Sequence, residues 1–329
     1  MTSRRAALAL ASLLATACSS DDSSASHDSG ASDDATPGTS DAADGSDGGP
    51  LADAGGCRAR DLDPAWLEDY EHEIVAKLSG AAPIATGVTL SDRASSTARE
   101  HVRVYLVNEL TAMGYAPLRH NYEGGAANVV ARLSSGRADA RVVVLGGHFD
   151  GVANVPAAAD DGTGTALVLA AARWYADLDC RQHDVIFAFF DQEENGLIGS
   201  NFYSAKLKSD GEDVLAVHIF DMISFDGDGD QVVELWMPSP GMADLYEAAG
   251  APLGVHTSVA PRFSSSDHTS FLDDGFVTTG VSEEFVGGDH TPHYHKVTDT
   301  LDKVNFGYLG LVTRVALAAS SHQVAPDAP

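Results

Sequence analysis

Short apolar runs that end directly in polar residues constrain the fold of this chain more than any other feature. Runs 142–145 and 185–190 are wholly apolar, and a third, 215–220, is broken only by His218. A strand that is apolar along its whole length must be covered on both faces, which is typical of parallel sheets between helices. The chain is therefore predicted to be an α/β protein, with a mostly parallel, mixed central sheet sandwiched between helix layers.

Helical and β-rich patterns alternate along most of the chain. Helical periodicity recurs over 64–78, 91–113, 163–175, 242–250 and 306–319. Ser91 followed by Asp92 predicts the start of the second helix. The β-rich runs between the helices are 128–133, 141–145, 184–190, 214–220, 232–236 and 277–281.

Candidate metal ligands follow the three apolar runs. His148 comes after the first run, Glu193 and Glu194 after the second, and Asp221 after the third. The carboxyl ends of parallel strands meet at one edge of a sheet, and open α/β sheets bind ligands at that edge. Side chains that are far apart in sequence are therefore predicted to converge on one site.

His148 is followed by a possible supporting carboxylate. Asp150 is two residues away, and residues two apart in extended chain face the same side. Asp150 is predicted to accept the second ring N–H of His148, which is how carboxylates orient metal-bound imidazoles. A surface His-x-Asp pair is the alternative interpretation.

Two adjacent aspartates, Asp160 and Asp161, lie on a glycine-rich turn that opens a predicted helix. An aspartate at a helix start is a common N-cap and needs no metal. Asp161 suits that position, which leaves Asp160 free to bridge two cations.

Glu193 and Glu194 are neighbouring carboxylates, which repel each other unless a cation lies beside them. One of them can bind a metal while the other takes a proton from water; two exposed loop glutamates are the alternative. Asp221 closes an apolar strand, where a carboxylate without a partner is costly. Both features favour a cation at this edge.

A cluster of three histidines lies near the carboxyl end of the chain. Pro292 and the spacing of the histidines do not fit a helical zinc site. His295 is predicted to be a ligand, and Tyr294 is placed to donate its O–H to a developing oxyanion. His290 and His293 are expected at the pocket rim.

Other polar residues are not expected at the metal site. His218 lies inside a strand and is interpreted as a hydrogen-bonded core histidine, and Asp299 is expected to orient its loop. Asp226, Asp228 and Asp230 alternate with glycine but lack the closing glutamate of a calcium loop, so they predict a polar turn.

The first residues have the features of an export signal. Arg4 and Arg5 precede an apolar run, 6–17, that is too short to span a membrane. Small residues lead to Cys18, which resembles a lipoprotein signal of residues 1–17, with Ala15 in place of the usual leucine. We expect an exported protein, anchored to the outer membrane only by a lipid on Cys18; a periplasmic or secreted protein is the alternative.

Residues 18–56 are predicted to be a disordered acidic linker of Ser, Asp, Gly and Ala. Residues 19–56 contain nine aspartates and no Lys or Arg, and have little to bury. Residues 57–329 remain as one large domain. The domain holds Cys57 and Cys180, whose pairing the sequence leaves open because two cysteines give no disulfide framework.

The net charge of −28 excludes a nucleic-acid-binding protein. The linker supplies only nine of these charges, so the domain is acidic in its own right. No run of 18 apolar residues follows the signal, so no membrane span is expected.

Five segments contain these candidate residues in a fixed order. They are Gly-His-Phe-Asp at 147–150, Asp-Asp-Gly-Thr-Gly at 160–164, Glu-Glu-Asn-Gly-Leu-Ile-Gly-Ser at 193–200, Phe-Asp-Met-Ile at 220–223 and Tyr-His-Lys-Val-Thr-Asp-Thr-Leu at 294–301. Together they resemble the co-catalytic, di-zinc aminopeptidase family of metallopeptidases, which also includes glutamate carboxypeptidases and glutaminyl cyclases. The resemblance covers about residues 85–315 and implies a zinc-peptidase (phosphorylase/hydrolase-like) architecture.

The resemblance implies two Zn²⁺ ions that share one carboxylate. The ligand set that it implies is His148 and Asp221 for one ion, Glu194 and His295 for the other, and Asp160 between them. Glu193 is then the general base, with Asp150 and Tyr294 as further catalytic residues, and the Asp160–Asp161 peptide is expected to be cis. Zinc, cobalt and manganese can share such sites, so the resident metal stays open.

The activity that the resemblance implies is a monomeric aminopeptidase acting on peptides or amino-acid amides. A glutaminyl cyclase and a carboxypeptidase are alternatives; the latter needs a basic pocket residue, for which Arg262 is a candidate. Ser265 stands where some members have a basic residue before Ser266 and Asp267. A catalytically silent surface lipoprotein would be expected to lose Glu193 or a ligand, and none is lost, which favours a hydrolase.

Overall fold

The computed structural model describes residues 61–178 and 180–325, and within them eight strands form one sheet. The strands are β1 (Leu118–Asn121), β2 (Ala127–Leu133), β3 (Val142–His148), β4 (Asp184–Phe190), β5 (Val214–Phe220), β6 (Val232–Trp236), β7 (His256–Ala260) and β8 (Thr278–Ser282). The α-helices are α1 (Leu67–Leu78), α2 (Ser96–Ala112), α3 (Gly162–Ala176), α4 (Ile198–Asp210), α5 (Met242–Gly250), α6 (His268–Asp273) and α7 (Phe306–Val324).

The sheet is mixed, in the order β1-β2-β4-β3-β5-β8-β6-β7. The pairs β4–β3, β3–β5, β5–β8 and β6–β7 are parallel, whereas β1–β2, β2–β4 and β8–β6 are antiparallel. The predicted mostly parallel sheet is thus confirmed. Its central strands β4, β3, β5 and β8 all run the same way, so their carboxyl ends lie at one edge.

Helices cover both faces of the sheet, as the uninterrupted apolar runs predicted. Along β3, Val143 and Leu145 pack into one core with side chains of α1, α2, α3, α5 and α7. Val142 and Val144 point the other way and pack with side chains of α4 and α6. Because successive side chains of a strand alternate between faces, an apolar strand such as β3 contributes to both cores.

Helix α3 starts unusually close to the end of β5. A side chain at Gly164 would place its Cβ 2.3 Å from the Phe220 carbonyl oxygen and 2.4 Å from Asp161 Oδ2. Only glycine permits this approach. The glycine-rich turn therefore brings the start of α3 against the edge where the candidate ligands lie.

Several predicted boundaries differ from those in the structure. Helix α2 begins at Ser96, not at residue 91, because Ser95 is its N-cap and its Oγ accepts the N–H of Ala98 at 3.1 Å. The side chain of Asp92 instead accepts the N–H groups of Ala94 and Asn154. Strands β1 and β7 and helices α4 and α6 were not predicted.

His218 is a core residue, as predicted. Its Nδ1 lies 2.9 Å from the Tyr246 hydroxyl and its Nε2 lies 2.9 Å from Gln323 Oε1. Asp226, Asp228 and Asp230 accept the backbone N–H groups of Gly229, Asp230 and Val232, and one carboxylate oxygen of each lies within 4.8 Å of the others, so the prediction of a simple polar turn stays a prediction.

The termini and the cysteines complete the description. Cys180 is disulfide-bonded. Cys57, the predicted signal peptide and the predicted linker lie outside the described residues. Of the helices that are described, none combines the length and the hydrophobicity required to cross a membrane.

Candidate metal centre

The five predicted ligands converge at the carboxyl edge of the central strands. They form two overlapping triplets, His148, Asp160 and Asp221 on one side and Asp160, Glu194 and His295 on the other. Within each triplet, one potential ligand atom per residue lies within 4.8 Å of the others. Asp160 belongs to both triplets.

Asp160 turns one carboxylate oxygen towards each histidine. Its Oδ1 lies 3.3 Å from His148 Nε2, and its Oδ2 lies 3.0 Å from His295 Nε2. Beyond the histidines, Asp221 Oδ1 lies 3.7 Å from His148 Nε2 and Glu194 Oε2 lies 3.1 Å from His295 Nε2. Each histidine thus faces the shared carboxylate and one carboxylate of its own.

The donor set fits divalent cations such as zinc. His148 Nε2, Asp221 Oδ1 and Glu194 Oε1 are buried without a hydrogen-bond partner. Leaving such polar atoms unpaired in a protein interior is costly. Imidazole nitrogens and carboxylate oxygens are zinc ligands, and a cation among them removes that cost.

Glu193 lies beside the triplets but belongs to neither. Its side chain is 10% exposed, and its Oε2 lies 3.9 Å from His148 Nε2. Burial and then the charges of Asp267 and Asp221 raise the pKa of Glu193 well above its usual value, whereas His148 lowers it. A carboxylate that stands beside the possible ligands without being one of them is placed to accept and return a proton.

Asp150 supports both the first histidine and the Glu193–Glu194 turn. Its Oδ1 lies 3.4 Å from His148 Nδ1, where the sequence predicted it. It also accepts the backbone N–H of Glu193 at 3.0 Å and that of Glu194 at 3.3 Å. Asp150 therefore joins the end of β3 to the turn after β4, which the sequence did not predict.

A buried ion-pair network anchors the same turn to α2. Asp191, which is fully buried, lies 2.8 Å from Arg99 Nε and 2.6 Å from Arg103 Nη1. The Asp191 backbone N–H donates to Asn128 Oδ1 at 3.0 Å. Sequence reasoning missed this network, although Arg99 and Arg103 lie four residues apart on one helix face.

The turn that carries Asp160 is held from several sides. The Asp160–Asp161 peptide is cis, as the resemblance implied. Asp161 caps α3 by accepting the N–H of Gly164 at 2.7 Å. Asp299, which was expected to orient its own loop, instead holds the Asp160 turn by accepting the N–H groups of Ala159 at 2.8 Å and Asp160 at 3.3 Å.

Arg93 is a further buried support that the sequence did not reveal. Its guanidinium is fully buried and donates to carbonyl oxygens from three segments of the chain. The acceptors are Phe149 at 2.8 Å, Leu78 and Pro156 at 3.1 Å and Asp160 at 3.4 Å. Arg93 thus ties the loop after β3 to the turn of Asp160.

A pocket opens directly onto the two triplets. Besides Asp160, Glu193, Glu194, Asp221 and His295, it is lined by Met222, Trp236, Phe263, Ser265, Phe285 and Tyr294. The Tyr294 ring stacks on His295 with centroids 3.8 Å apart and is 36% exposed. Arg262 is exposed and does not line the pocket.

The two other histidines of the cluster lie outside the triplets. His290 packs its ring on Phe285, with centroids 4.8 Å apart. His293 Nδ1 lies 2.9 Å from Thr298 Oγ1. Neither belongs to a group of possible ligands among the described residues.

The sequence profile of Peptidase family M28 matches residues 128–320, from β2 into α7. This range contains both triplets and Glu193. The chain belongs to peptidase family M28. The expected membership of the metallopeptidase family with co-catalytic aminopeptidases is thereby confirmed.

The chain is also similar to curated proteins that are named aminopeptidases. The probable lipoprotein aminopeptidase LpqL of Mycobacterium tuberculosis is 31% identical over 218 residues, which cover 56% of this chain and 43% of that protein. The chain spans about half the length of the curated relatives that it matches.

Solved structures share the fold. The Legionella pneumophila LapA aminopeptidase has a TM-score of 0.72 at 17% identity, covering 80% of this chain and 74% of that one. The Porphyromonas gingivalis glutaminyl cyclase has a TM-score of 0.63 at 18% identity, covering 80% of this chain and 100% of that one. The predicted zinc-peptidase architecture is confirmed by these likenesses in fold.

Proposed function

We propose that the protein is a zinc-dependent aminopeptidase that hydrolyses the first peptide bond of its substrates. The observation that carries the proposal is the position of Asp160, whose carboxylate faces two separate His–carboxylate pairs. Glu193 lies beside these pairs and belongs to neither group of possible ligands. The relative named as an aminopeptidase supports the same reaction.

The two triplets would hold two zinc ions. His148 and Asp221 would bind one ion, Glu194 and His295 the other, and Asp160 both. When bound, such a pair of ions polarises the scissile carbonyl and acidifies water.

Side chains around the ions would transfer the proton, hold the site in place and stabilise the oxyanion. Glu193 would take the proton from the attacking water and return it to the leaving amine. Asp150 would hold both His148 and the backbone of the Glu193–Glu194 turn in place. Tyr294 would donate its O–H to the oxyanion that develops on the carbonyl.

The charge of the pocket favours a free amino terminus over a free carboxyl terminus. Four carboxylates line it, and no Lys or Arg is among its lining residues. Arg262, the candidate partner for a substrate carboxylate, is exposed and absent from the lining. An aminopeptidase is therefore better supported than a carboxypeptidase.

The test is a panel of aminoacyl-p-nitroanilides, each with and without a blocked amine, assayed on chelated and on zinc-restored protein. We expect hydrolysis of the free substrates alone, lost on chelation and regained with zinc. Cleavage of the substrates with a blocked amine, but not of those with a free amine, would contradict the aminopeptidase assignment. Release of ammonia from glutaminyl peptides without hydrolysis of the panel would identify a cyclase.

We propose in addition that the protein is exported, with residues 1–17 as signal peptide, a lipid on Cys18 and a linker, 18–56. Residues 57–329 would then form a monomeric metallopeptidase domain held away from the membrane. The support is the basic and apolar pattern before Cys18, together with the relative that is named a lipoprotein aminopeptidase.

A further inference from the structure

We propose that Glu234 is a positioning residue for substrate selection: its buried carboxylate fixes an aromatic wall, so that the pocket prefers peptides with an apolar N-terminal side chain. This inference rests on the proposed aminopeptidase function. Glu234 lies on β6, outside both triplets, and is 2% exposed.

Glu234 joins two parts of the pocket that are distant in sequence. Its Oε1 accepts the indole N–H of Trp236 at 2.7 Å and the backbone N–H of Val286 at 2.9 Å. Its Oε2 accepts the backbone N–H of Gly287 at 2.7 Å. Hydrogen bonds to an ionised acceptor are among the stronger ones in proteins, so the three bonds together fix the indole against the loop after β8.

The groups that Glu234 holds form one aromatic wall, which we define as Trp236, Phe263 and Phe285. The centroids of Trp236 and Phe263 are 4.2 Å apart, and those of Phe263 and Phe285 are 5.3 Å apart. All three rings line the pocket beside the triplets. Apart from the residues of the metal centre, the lining contains no charged side chain, so the wall offers an incoming side chain apolar contact only.

Strand β8 packs closely against the indole of Trp236. Gly280 on β8 pairs with Trp236, and a Cβ there would lie 2.9 Å from Trp236 Cε3 and 3.0 Å from Trp236 Cβ. The indole is thus supported from behind by backbone and from its edge by Glu234. Loss of the carboxylate would free the edge of the ring and the Phe285 loop, and the three hydrogen bonds lost involve none of the predicted metal ligands.

The test compares Glu234→Gln with the wild type on leucyl- and alanyl-p-nitroanilide. Glutamine keeps the size of the side chain but replaces one acceptor oxygen by a donor, which opposes a backbone N–H. We expect the preference for leucyl over alanyl substrate to fall about tenfold, through a higher KM for the leucyl substrate, while kcat for the alanyl substrate stays within about twofold. The matched control is Glu247→Gln, whose carboxylate accepts the Thr257 N–H at 2.9 Å but lies outside the pocket; its preference should not change.

An unchanged preference in folded Glu234→Gln, or an equal loss for both substrates, would overturn the proposal. If Glu234→Gln does not fold, Trp236→Phe removes the indole N–H while keeping a ring, and the same loss of preference is expected.

A binding measurement separates this inference from the proposed function. L-leucinamide and L-alaninamide are titrated by calorimetry into the zinc-loaded Glu193→Gln protein, with and without Glu234→Gln. If the wild type hydrolyses neither anilide, the proposed function fails; tighter binding of leucinamide that Glu234→Gln removes would still support the wall. Equal binding of the two amides before the second substitution would contradict it.

Discussion

Glu193 and Glu194 are adjacent in sequence yet have different surroundings. Glu194 lies 3.1 Å from His295 and belongs to a triplet, whereas Glu193 stands 3.9 Å from the nearest histidine nitrogen and belongs to none. Two residues of the same type can therefore have two roles, one as a ligand and one as a base. The distinction can be tested by a substitution that preserves shape.

Glu193→Gln should lower kcat by about 10³-fold, because it removes the group that accepts the proton while leaving both triplets intact. The bound zinc, measured by elemental analysis after dialysis, should remain at the wild-type level. Glu284→Gln, a change at a partly buried glutamate of the loop after β8, serves as the control and should keep its activity. Full activity of Glu193→Gln with its metals bound would remove Glu193 from the mechanism.

At this scale the sequence predicted the residues that follow apolar runs and the carboxylate of Asp150 behind His148, but it missed the supporting arginines. His148 and Asp221 are detectable because each stands close behind an apolar run that predicts a strand. Arg93 carries no such signal, since its partners are backbone carbonyls that only the folded chain brings together. Glu234 was missed because two of the N–H groups that it accepts belong to Val286 and Gly287, which lie far away in the sequence.

Among the elements, the turn after β4 depends most on a distant helix. Asp191 begins this turn, and its carboxylate pairs with Arg99 and Arg103 of α2. Because the turn continues into Glu193 and Glu194, the position of α2 bears on the catalytic geometry.

Asp191→Asn should lower the free energy of unfolding by about 3 kcal/mol, because it leaves the largely buried Arg99 without its counter-ion and Arg103 with the half-exposed Glu100 alone. Activity should fall as well, since the turn loses its anchor. Glu100→Gln is the matched control: Glu100 pairs with Arg103 at 3.0 Å but is 44% exposed, and its loss should cost less than about 1 kcal/mol. Denaturant unfolding gives the free energy of unfolding of both variants. An equal decrease in the two variants would contradict a special role for Asp191.

The predictability of each element followed its burial. Strands β4, β5 and β6 and helix α5 have the predicted bounds, because their apolar patterns reflect cores that cover them. Strand β1, Leu-Arg-His-Asn, is an edge strand with mostly exposed side chains and carries no apolar pattern. Helix α4 follows Leu197 at φ +59° and has no side-chain cap, and α6 has only six residues, so neither shows a start signal.

For the molecule as a whole, one buried histidine links stability to pH. Burial lowers the pKa of His218 to about 4, from a usual value of 6.5. Its Nε2–H donates to Gln323 Oε1 and its Nδ1 accepts from the Tyr246 hydroxyl, an arrangement that suits the neutral ring. The unfolded chain therefore binds this proton first, so stability is full above pH 6.5 and is lost as the pH falls towards 4.

Between pH 7.5 and pH 5 this one group should remove about 2 kcal/mol of stability from the folded protein. His218→Gln has no imidazole to take up the proton. Its free energy of unfolding should therefore fall by about 2 kcal/mol less than that of the wild type between pH 7.5 and pH 5, whatever the stability of the variant at pH 7.5. Urea unfolding of both proteins at the two pH values gives the comparison. The same acid loss in both proteins would rule His218 out as the source.

The predicted anchor gives a test on the full chain. Expressed in a bacterium with lipoprotein processing and fed a labelled fatty acid, the wild type should carry the label and sediment with membranes. Cys18→Ser should lose both properties, whereas Cys57→Ser should keep the label. An unlabelled wild type in the medium would point to plain secretion.

Arg93 allows the loops around the ligand triplets to be held in place without a metal ion. The Arg93 guanidinium is a cation that belongs to the chain itself, and it is hydrogen-bonded to four carbonyl oxygens. Unlike a metal ion, it does not have to be taken up from solution. It holds the loop after β3 and the turn of Asp160 together by contacts that involve no metal. These two loops can therefore be held in place whether or not the ligand triplets contain a metal ion.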